Sequence, residues 1–335
     1  MGGNLGMGQA GRSLGDGYLR QQRDPTVDTL PARRTVTQMG QRGSDLAVIE
    51  IEQLRYVRLC TRNLPAAIDF AQRILGLQLI EKSDEQATFR SDFRDHTLVY
   101  EVGDPSQQSV GLEVRTQAVL DRAVTVLAAN GITATAANAD ALVRRKARAM
   151  ASFRDCSGNT FELVVRPETS GWRYFPSRDA GITGLAAVAL RTTSNEADEA
   201  LWTTLFNGRV SDWVGDAAFI RFDDAHHRLA LHPSNRGGVL AVEYAVEGLN
   251  QIMQAMYFLQ SAQVKIVHGP GRRPTSDQIF LTFAGPEDML FSYVAEGTRI
   301  TENGAHRPRQ FARKRLSFCA WGSESTVPEF SASED

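Results

Sequence analysis

The sequence predicts an α+β protein of four β-α-β-β-β modules, paired two by two into domains of curved mixed sheets. Three observations predict it. Strand-length alternations of apolar and polar residues recur between segments of helical periodicity, always in the order strand, helix, three strands. The unit occurs four times between Leu54 and Glu296. The aromatic stretch GWRYFPSRDAG, from Gly171 to Gly181, separates the modules into two pairs. A small repeated unit cannot bury its own apolar face, so it shares a core with a copy of itself.

The first module opens on LRYVRLCT, whose alternation suits a half-buried strand. Asn63 suits a helix cap and Pro65 the first turn, AAIDFAQRILGL continues the helix, and Gly76 ends it. LQLIEK, QATFRS and HTLVYEV complete the unit. In the second, SVGLEVR leads into QAVLDRAVTVLAAN, then ITATAA, ARAMASFRD and TFELVV. In the third, LAAVALRTT leads into NEADEALWTTLFN, then RVSDWVG, AAFIRFDD and HRLALHP. In the fourth, VLAVEYAV leads into LNQIMQAMYFLQSA, then VKIVHG, QIFLTFA and MLFSYVAE. The expected divisions are an N-terminal arm (1–50), a first domain (51–167), a linker (168–183), a second domain with the pocket (184–298) and a C-terminal segment (299–335).

Composition narrows the function classes. With 335 residues the chain suits two domains, and 42% apolar content can fill their cores. A formal net charge of -2 with 23% charged residues gives no basic excess for nucleic acid. Cys60, Cys156 and Cys319 are far apart, which points to a reducing compartment without disulfides. No apolar run is long enough to span a bilayer and no signal-peptide pattern opens the chain, so a cytoplasmic protein with no membrane partner is expected. Met1 to Asp45 is rich in Gly, Arg, Gln and Asp, without periodicity. It reads as a flexible arm, or one that docks on a neighbouring subunit. The closing FSASED reads as a loose polar tail.

Four local motifs, in order, resemble the two-domain type I extradiol ring-cleavage dioxygenases of the vicinal oxygen chelate superfamily (the glyoxalase, bleomycin-resistance and dioxygenase proteins). They are ILGL after the first helix, DCSGNTFELVVRP, DAGITGL, and HRPRQFARKRLSFCAWG. The resemblance implies two vicinal-oxygen-chelate domains, an iron site of two His and one Glu in the second, and a homo-oligomer. At the three implied ligand positions the chain holds Ala187, Ala241 and Ser292. Neither alanine nor a serine hydroxyl replaces imidazole or carboxylate as a ligand for Fe(II) or Mn(II), so no metal and no cofactor is expected. His96, His232, His268 and His306 read as scattered, with no HExxH or Cys/His cluster among them.

The remaining site expectations follow from the same resemblance. AHHRLAL resembles a family segment whose second His works in proton transfer beside the substrate, which maps to His227. His226 is its neighbour at the substrate, or a packing residue. On the strand of Ala241, alternation puts Glu243 on the same face. There, poor solvation would raise its pKa and suit a general base, unless an arginine pairs with it. Arg273, Asp277 (or Ser276) and Thr282 fall where the family has further substrate contacts. Arg272 and Arg273 suit a substrate carboxylate or enolate, or simply a solvated turn. Ala187, Ala241 and Ser292 are expected to line a widened pocket. In the first domain the corresponding places hold Tyr56, Ser109 and Glu162, a poor metal set. The partner is a small aromatic or ring-fission-product ligand. Three functions stand: a metal-independent acid–base enzyme (isomerase, hydratase, C–C hydrolase or lyase), a non-catalytic aromatic-ligand binder or inactive dioxygenase partner, and an iron-dependent dioxygenase.

Overall fold

The computed structural model describes residue 2, residues 48–302 and residues 305–332. Residues 1 and 3–47 of the N-terminal arm, and with them its docking, and the last residues of the polar tail lie outside the described residues. The first module comprises β1 (Gln53–Thr61), α1 (Leu64–Asp69), β2 (Gln78–Lys82), β3 (Gln86–Arg90) and β4 (Leu98–Val102). The second has β5 (Gln108–Val114), α2 (Gln117–Ala129), β6 (Thr135–Ala136), α3 (Ala139–Arg145), β7 (Ala149–Arg154) and β8 (Thr160–Val165). The third has β9 (Ile182–Thr192), α4 (Asn195–Thr204), β10 (Arg209–Val214), β11 (Ala217–Arg221) and β12 (Leu229–Pro233). The fourth has β13 (Gly238–Val246), α5 (Leu249–Ser261), β14 (Ile266–Arg272), β15 (Ile279–Ala284) and β16 (Leu290–Ala295). β17 (Arg309–Phe311) and α6 (Arg315–Phe318) follow.

The four-module α+β reading holds. The modules form an eight-stranded sheet, β2-β3-β4-β1-β5-β8-β7-β6, and a nine-stranded one, β14-β15-β16-β13-β9-β12-β11-β10-β17. In each module the first strand runs parallel to the last, so the helix and two strands form the crossover a parallel pair requires. The two first strands of each sheet meet antiparallel at its centre. Asn63 caps α1 by accepting from the Ala66 N–H at 3.1 Å. The helix then widens into a π turn over Phe70–Ile74. Gly76 follows with φ +78°, where a Cβ would also stand 2.6 Å from the Arg178 carbonyl oxygen.

One helix was not foreseen. α3 has seven residues, too few for a periodic signal. Asn138 caps it by accepting from the Ala141 N–H at 2.8 Å, and Lys146 ends it with φ +47°. It closes the concave face of the first sheet, with Ala141 and Leu142 against Tyr56, Met150 and Val164.

The helix-bearing faces of the two sheets meet. Trp202 of α4 packs on Phe161 of β8 with ring centroids 4.6 Å apart, and Phe153 of β7 stacks on Phe206 at 5.6 Å. Phe70 lies 5.3 Å from Phe291 of β16. Each such buried aromatic contributes about 1.5–3 kcal/mol by transfer from water. Alternation sends Val188, Leu190, Val242 and Tyr244 into this shared core. Ala189 and Ala241 face the opposite, concave side.

That concave face is covered by the C-terminal segment. β17 extends the sheet beside β10, and Phe311 and Phe330 join Ala189, Ala241 and Leu290 in one apolar cluster. The tail is therefore not loose at its start. Phe330 is buried, and Glu329 Oε1 accepts from Arg191 Nε at 2.8 Å and Ser234 Oγ at 2.9 Å. One large apolar ring with a paired carboxylate beside it anchors an otherwise polar stretch. Among the described residues no helix is long and apolar enough to cross a membrane.

Candidate functional site

The concave side of the second sheet holds a narrow cleft with a cavity volume of about 30 Å³. Its polar lining is Glu243 from β13, Arg273 and Thr275 beyond β14, His232 from β12, His268 from β14, Thr282 from β15 and Ser317 from α6. Phe219, Phe318 and Phe330 supply apolar wall. Aromatic edges surround the imidazoles: His232 meets Phe330 at 5.1 Å and His268 meets Phe280 at 4.6 Å between centroids. Burial, then Arg273, lowers the pKa of both His232 and His268 to about 4, so both are neutral near pH 7.

Glu243 is the centre of the site. The register sets it opposite Ala187 on β9 and opposite Ser292 on β16, while Ala241 pairs with Ala189 and Leu290. The three positions thus border one carboxylate. Arg273 grips it with two bonds, NH2 to Oε1 at 2.6 Å and NH1 to Oε2 at 3.1 Å. Gln278 Oε1 accepts a further bond from Arg273 NH1 at 3.1 Å. The expected upward pKa shift does not occur. Burial pushes the carboxyl up, but Arg273 and then His227 more than offset it and hold Glu243 well below the usual carboxylate range. The paired arginine, left open by the sequence, is what the structure contains.

His227 lies behind this carboxylate, not among the lining residues. Its Nε2 is 3.7 Å from Glu243 Oε2, beyond hydrogen-bond reach, and is buried with no hydrogen-bond partner. Its Nδ1 lies 3.1 Å from His226 Nδ1. His226 Nε2 in turn lies 3.1 Å from Asp212 Oδ2. Burial lowers the pKa of His227, against the pull of Glu243, and that of His226 to about 4.

The other candidates divide. Arg273 and Thr282 line the cleft. Ser292 is buried behind Thr282, with 2.8 Å between their hydroxyl oxygens. His226 turns to Asp212 rather than to the cleft. Asp277 is exposed and pairs with Arg272 at 3.1 Å, because its positive φ of 56° turns the loop outward; Thr275 lines the cleft instead. Arg272 also pairs with Glu296 at 2.9 Å and does not line the cleft. His232 and His268 were read as scattered, yet the sheet brings both to the same wall. Alternation on β12 from Ala230 would have placed His232. Nothing local marks His268.

In the first domain, Tyr56 and Ser109 donate to Glu162 at 2.5 and 2.7 Å. Arg145, delivered by α3, donates from Nε at 3.1 Å. Both oxygens of that carboxylate accept hydrogen bonds, two on Oε2 and one on Oε1. Among the described residues no group of three or more His, Cys, Asp or Glu is placed to hold a metal ion.

Comparison with known proteins fits this geometry. Residues 53–163 match the Glyoxalase/Bleomycin resistance protein/Dioxygenase superfamily. The complex of homoprotocatechuate 2,3-dioxygenase from Brevibacterium fuscum with 3,4-dihydroxyphenylacetate superposes with a TM-score of 0.78 at 18% identity, over 85% of this chain and 93% of that one. This chain has the two-domain fold of the extradiol dioxygenases. A Mn(II)-bound glyoxalase from Novosphingobium aromaticivorans shares it, with a TM-score of 0.74 at 18% identity over 85% and 95% of the chains. By sequence, an iron-dependent extradiol dioxygenase of Rhodococcus jostii (strain RHA1) is 24% identical over 83% of this chain and 99% of its own length.

Proposed function

We propose that this protein is a metal-independent acid–base enzyme on an extradiol-dioxygenase fold, acting on an oxygenated aromatic or a ring-derived dicarbonyl. The observation that carries the reading is the unpartnered, buried Nε2 of His227, 3.7 Å from a carboxylate that faces the cleft. A buried nitrogen without a partner is costly unless it has work to do. His227 and Glu243 act as one unit. A proton leaving the substrate enters at the Glu243 carboxylate and comes to rest between its Oε2 and His227 Nε2, where imidazolium and carboxylate attract. Arg273 faces the same space and steadies the enolate left behind. Isomerisation and elimination begin with such a transfer, and hydration or C–C hydrolysis would need the same pair to take a proton from an attacking water.

The donor set argues against the iron that the fold family implies. Ala187 and Ala241 carry no donor, and Ser292 offers a hydroxyl already paired with Thr282. The carboxylate they border is held by a guanidinium at 2.6 Å, whose charge repels a divalent cation.

A second reading, a non-catalytic ligand binder, draws support from Phe318 and Phe330, which narrow the cleft. The test uses chelator-treated protein in D2O with a panel of catechols and ring-fission dicarbonyls, read by mass spectrometry for conversion and solvent deuterium. Conversion should persist without metal and vanish in His227→Ala and Glu243→Gln. Turnover surviving both changes, or stoichiometric iron or manganese in the untreated protein, overturns the proposal. Binding without conversion favours the second reading.

A further inference from the structure

We infer that Asp212 and His226 are positioning residues that fix the tautomer of His227 and so keep a lone pair on its Nε2. The inference rests on the role given to His227 above, but its geometry stands apart from any substrate.

Asp212, His226 and His227 form one hydrogen-bonded chain. Asp212, on β10, is fully buried. Its Oδ1 accepts from the Arg309 backbone N–H at 2.7 Å, and its Oδ2 accepts from the Arg309 NH2 at 2.8 Å. Burial pushes the Asp212 carboxyl up, but His226 and Arg309 together hold it below the usual range. It is an ionised acceptor with no proton to give. His226 Nε2, 3.1 Å away, therefore carries the hydrogen and donates. A neutral imidazole with Nε2 protonated has a bare Nδ1. That bare Nδ1 faces His227 Nδ1 at 3.1 Å, so His227 must donate from Nδ1. The only proton of a neutral His227 is then used, and its Nε2 is left as a lone pair.

The chain also explains the orphan. A lone pair facing the Glu243 carboxylate gains nothing from it, so His227 Nε2 and Glu243 Oε2 stand apart at 3.7 Å. One added proton converts that gap into an ion pair. The charged and titratable groups facing His227 are Glu243 from β13, Arg273 from beyond β14, and His226 and Arg228 beside it. Those facing His226 are Asp212, His227 and Arg309. Arg309 belongs to β17, so the C-terminal strand that extends the sheet beside β10 also holds the far end of the relay.

The test reads tautomers directly, by side-chain nitrogen NMR of the full chain without ligand. In the wild type near neutral pH, His227 Nε2 should show the unprotonated, pyridine-type shift, and His226 Nε2 the protonated, pyrrole-type shift. In Asp212→Asn the new amide can donate to His226 Nε2. The whole chain then reverses, and His227 Nε2 moves to the pyrrole-type shift. Arg309→Gln keeps the carboxylate and should leave both tautomers as in the wild type. A protonated His227 Nε2 in the neutral wild type overturns the inference whether or not the variants fold, as does an unchanged His227 in folded Asp212→Asn. This readout needs no turnover. Correct tautomers in a protein that converts nothing refute the enzymatic reading and leave the relay standing.

Discussion

Replacing Arg273 by Met should cost more stability than replacing Arg273 and Glu243 together. Glu243 and Arg273 share two charged hydrogen bonds at 2.6 and 3.1 Å, with side chains 3% and 13% exposed. Removing one partner of such a pair leaves an uncompensated buried charge and costs about 3–5 kcal/mol, whereas an apolar pair of similar volume is often neutral. Arg273→Met is therefore the severe variant and Glu243→Met/Arg273→Met the mild one. The pH dependence changes sign as well. In the wild type the folded pKa of Glu243 is depressed, so its stabilisation is present above the unfolded pKa of about 4.3 and lost as pH falls. Without Arg273, burial dominates and the Glu243–His227 unit takes up a proton on folding. Its folded pKa is then raised, so stability is lost as pH rises, by up to about 1.4 kcal/mol per pH unit. Urea unfolding of the wild type, both single variants and the double variant, at about pH 5 and pH 8, measures both effects. Arg273→Met within about 1 kcal/mol of the wild type, the size of an exposed pair, would refute the reasoning. So would a variant that gains stability between those pH values.

Two further outcomes follow from the structure. Phe330→Ala should cost about 3 kcal/mol and widen the cleft beside His232, so catechol should raise its melting temperature more than that of the wild type; equal shifts would show that Phe330 does not limit access. Burial and the neighbouring Asp198 raise the pKa of Asp155 to about 7. Its contribution is full below its unfolded pKa of about 3.9 and disappears as pH rises through about 7. Thermal denaturation should show wild-type stability falling across that window and a flatter curve for Asp155→Asn; parallel curves would count against it.

The fold was legible because its signals are local and repeated. Asn63, Pro65 and Gly76 bracket a helix by their own backbone preferences, and four modules repeat the same alternation. α3 was not legible, since about two turns of helix leave no period to read. The site was legible in its members but not in its charges. The strand period placed Glu243 on the concave face, and Arg273 fell within reach of a ligand. What decides the protonation of Glu243 is the bond between them, which joins β13 to the loop after β14. His268 and Asp212 reach the site only through sheet register, which no single strand encodes.

The two concave faces solve the same problem in different ways, and the difference bears on which retains chemistry. Each buries a glutamate on an interior strand, and each sets an arginine against it: Arg145 on Glu162 and Arg273 on Glu243. Each face is covered by a chain segment, α3 in the first domain and the C-terminal segment in the second. Around Glu162, Tyr56, Ser109 and Arg145 all donate to the carboxylate. Around Glu243 the bonding stops one group short, at His227 Nε2. Both arginine pairs stabilise a buried carboxylate equally well in kind. The first also leaves an unbonded imidazole nitrogen, His96 Nε2 against the Tyr56 ring, but only in the second does such a nitrogen stand beside the buried carboxylate itself, at 3.7 Å. A purely structural cleft would gain from closing that last gap, as the first domain has done with a tyrosine hydroxyl. That the gap stays open beside a cleft, with an aspartate and a histidine spent on keeping it so, is the strongest physical reason to look for proton transfer there.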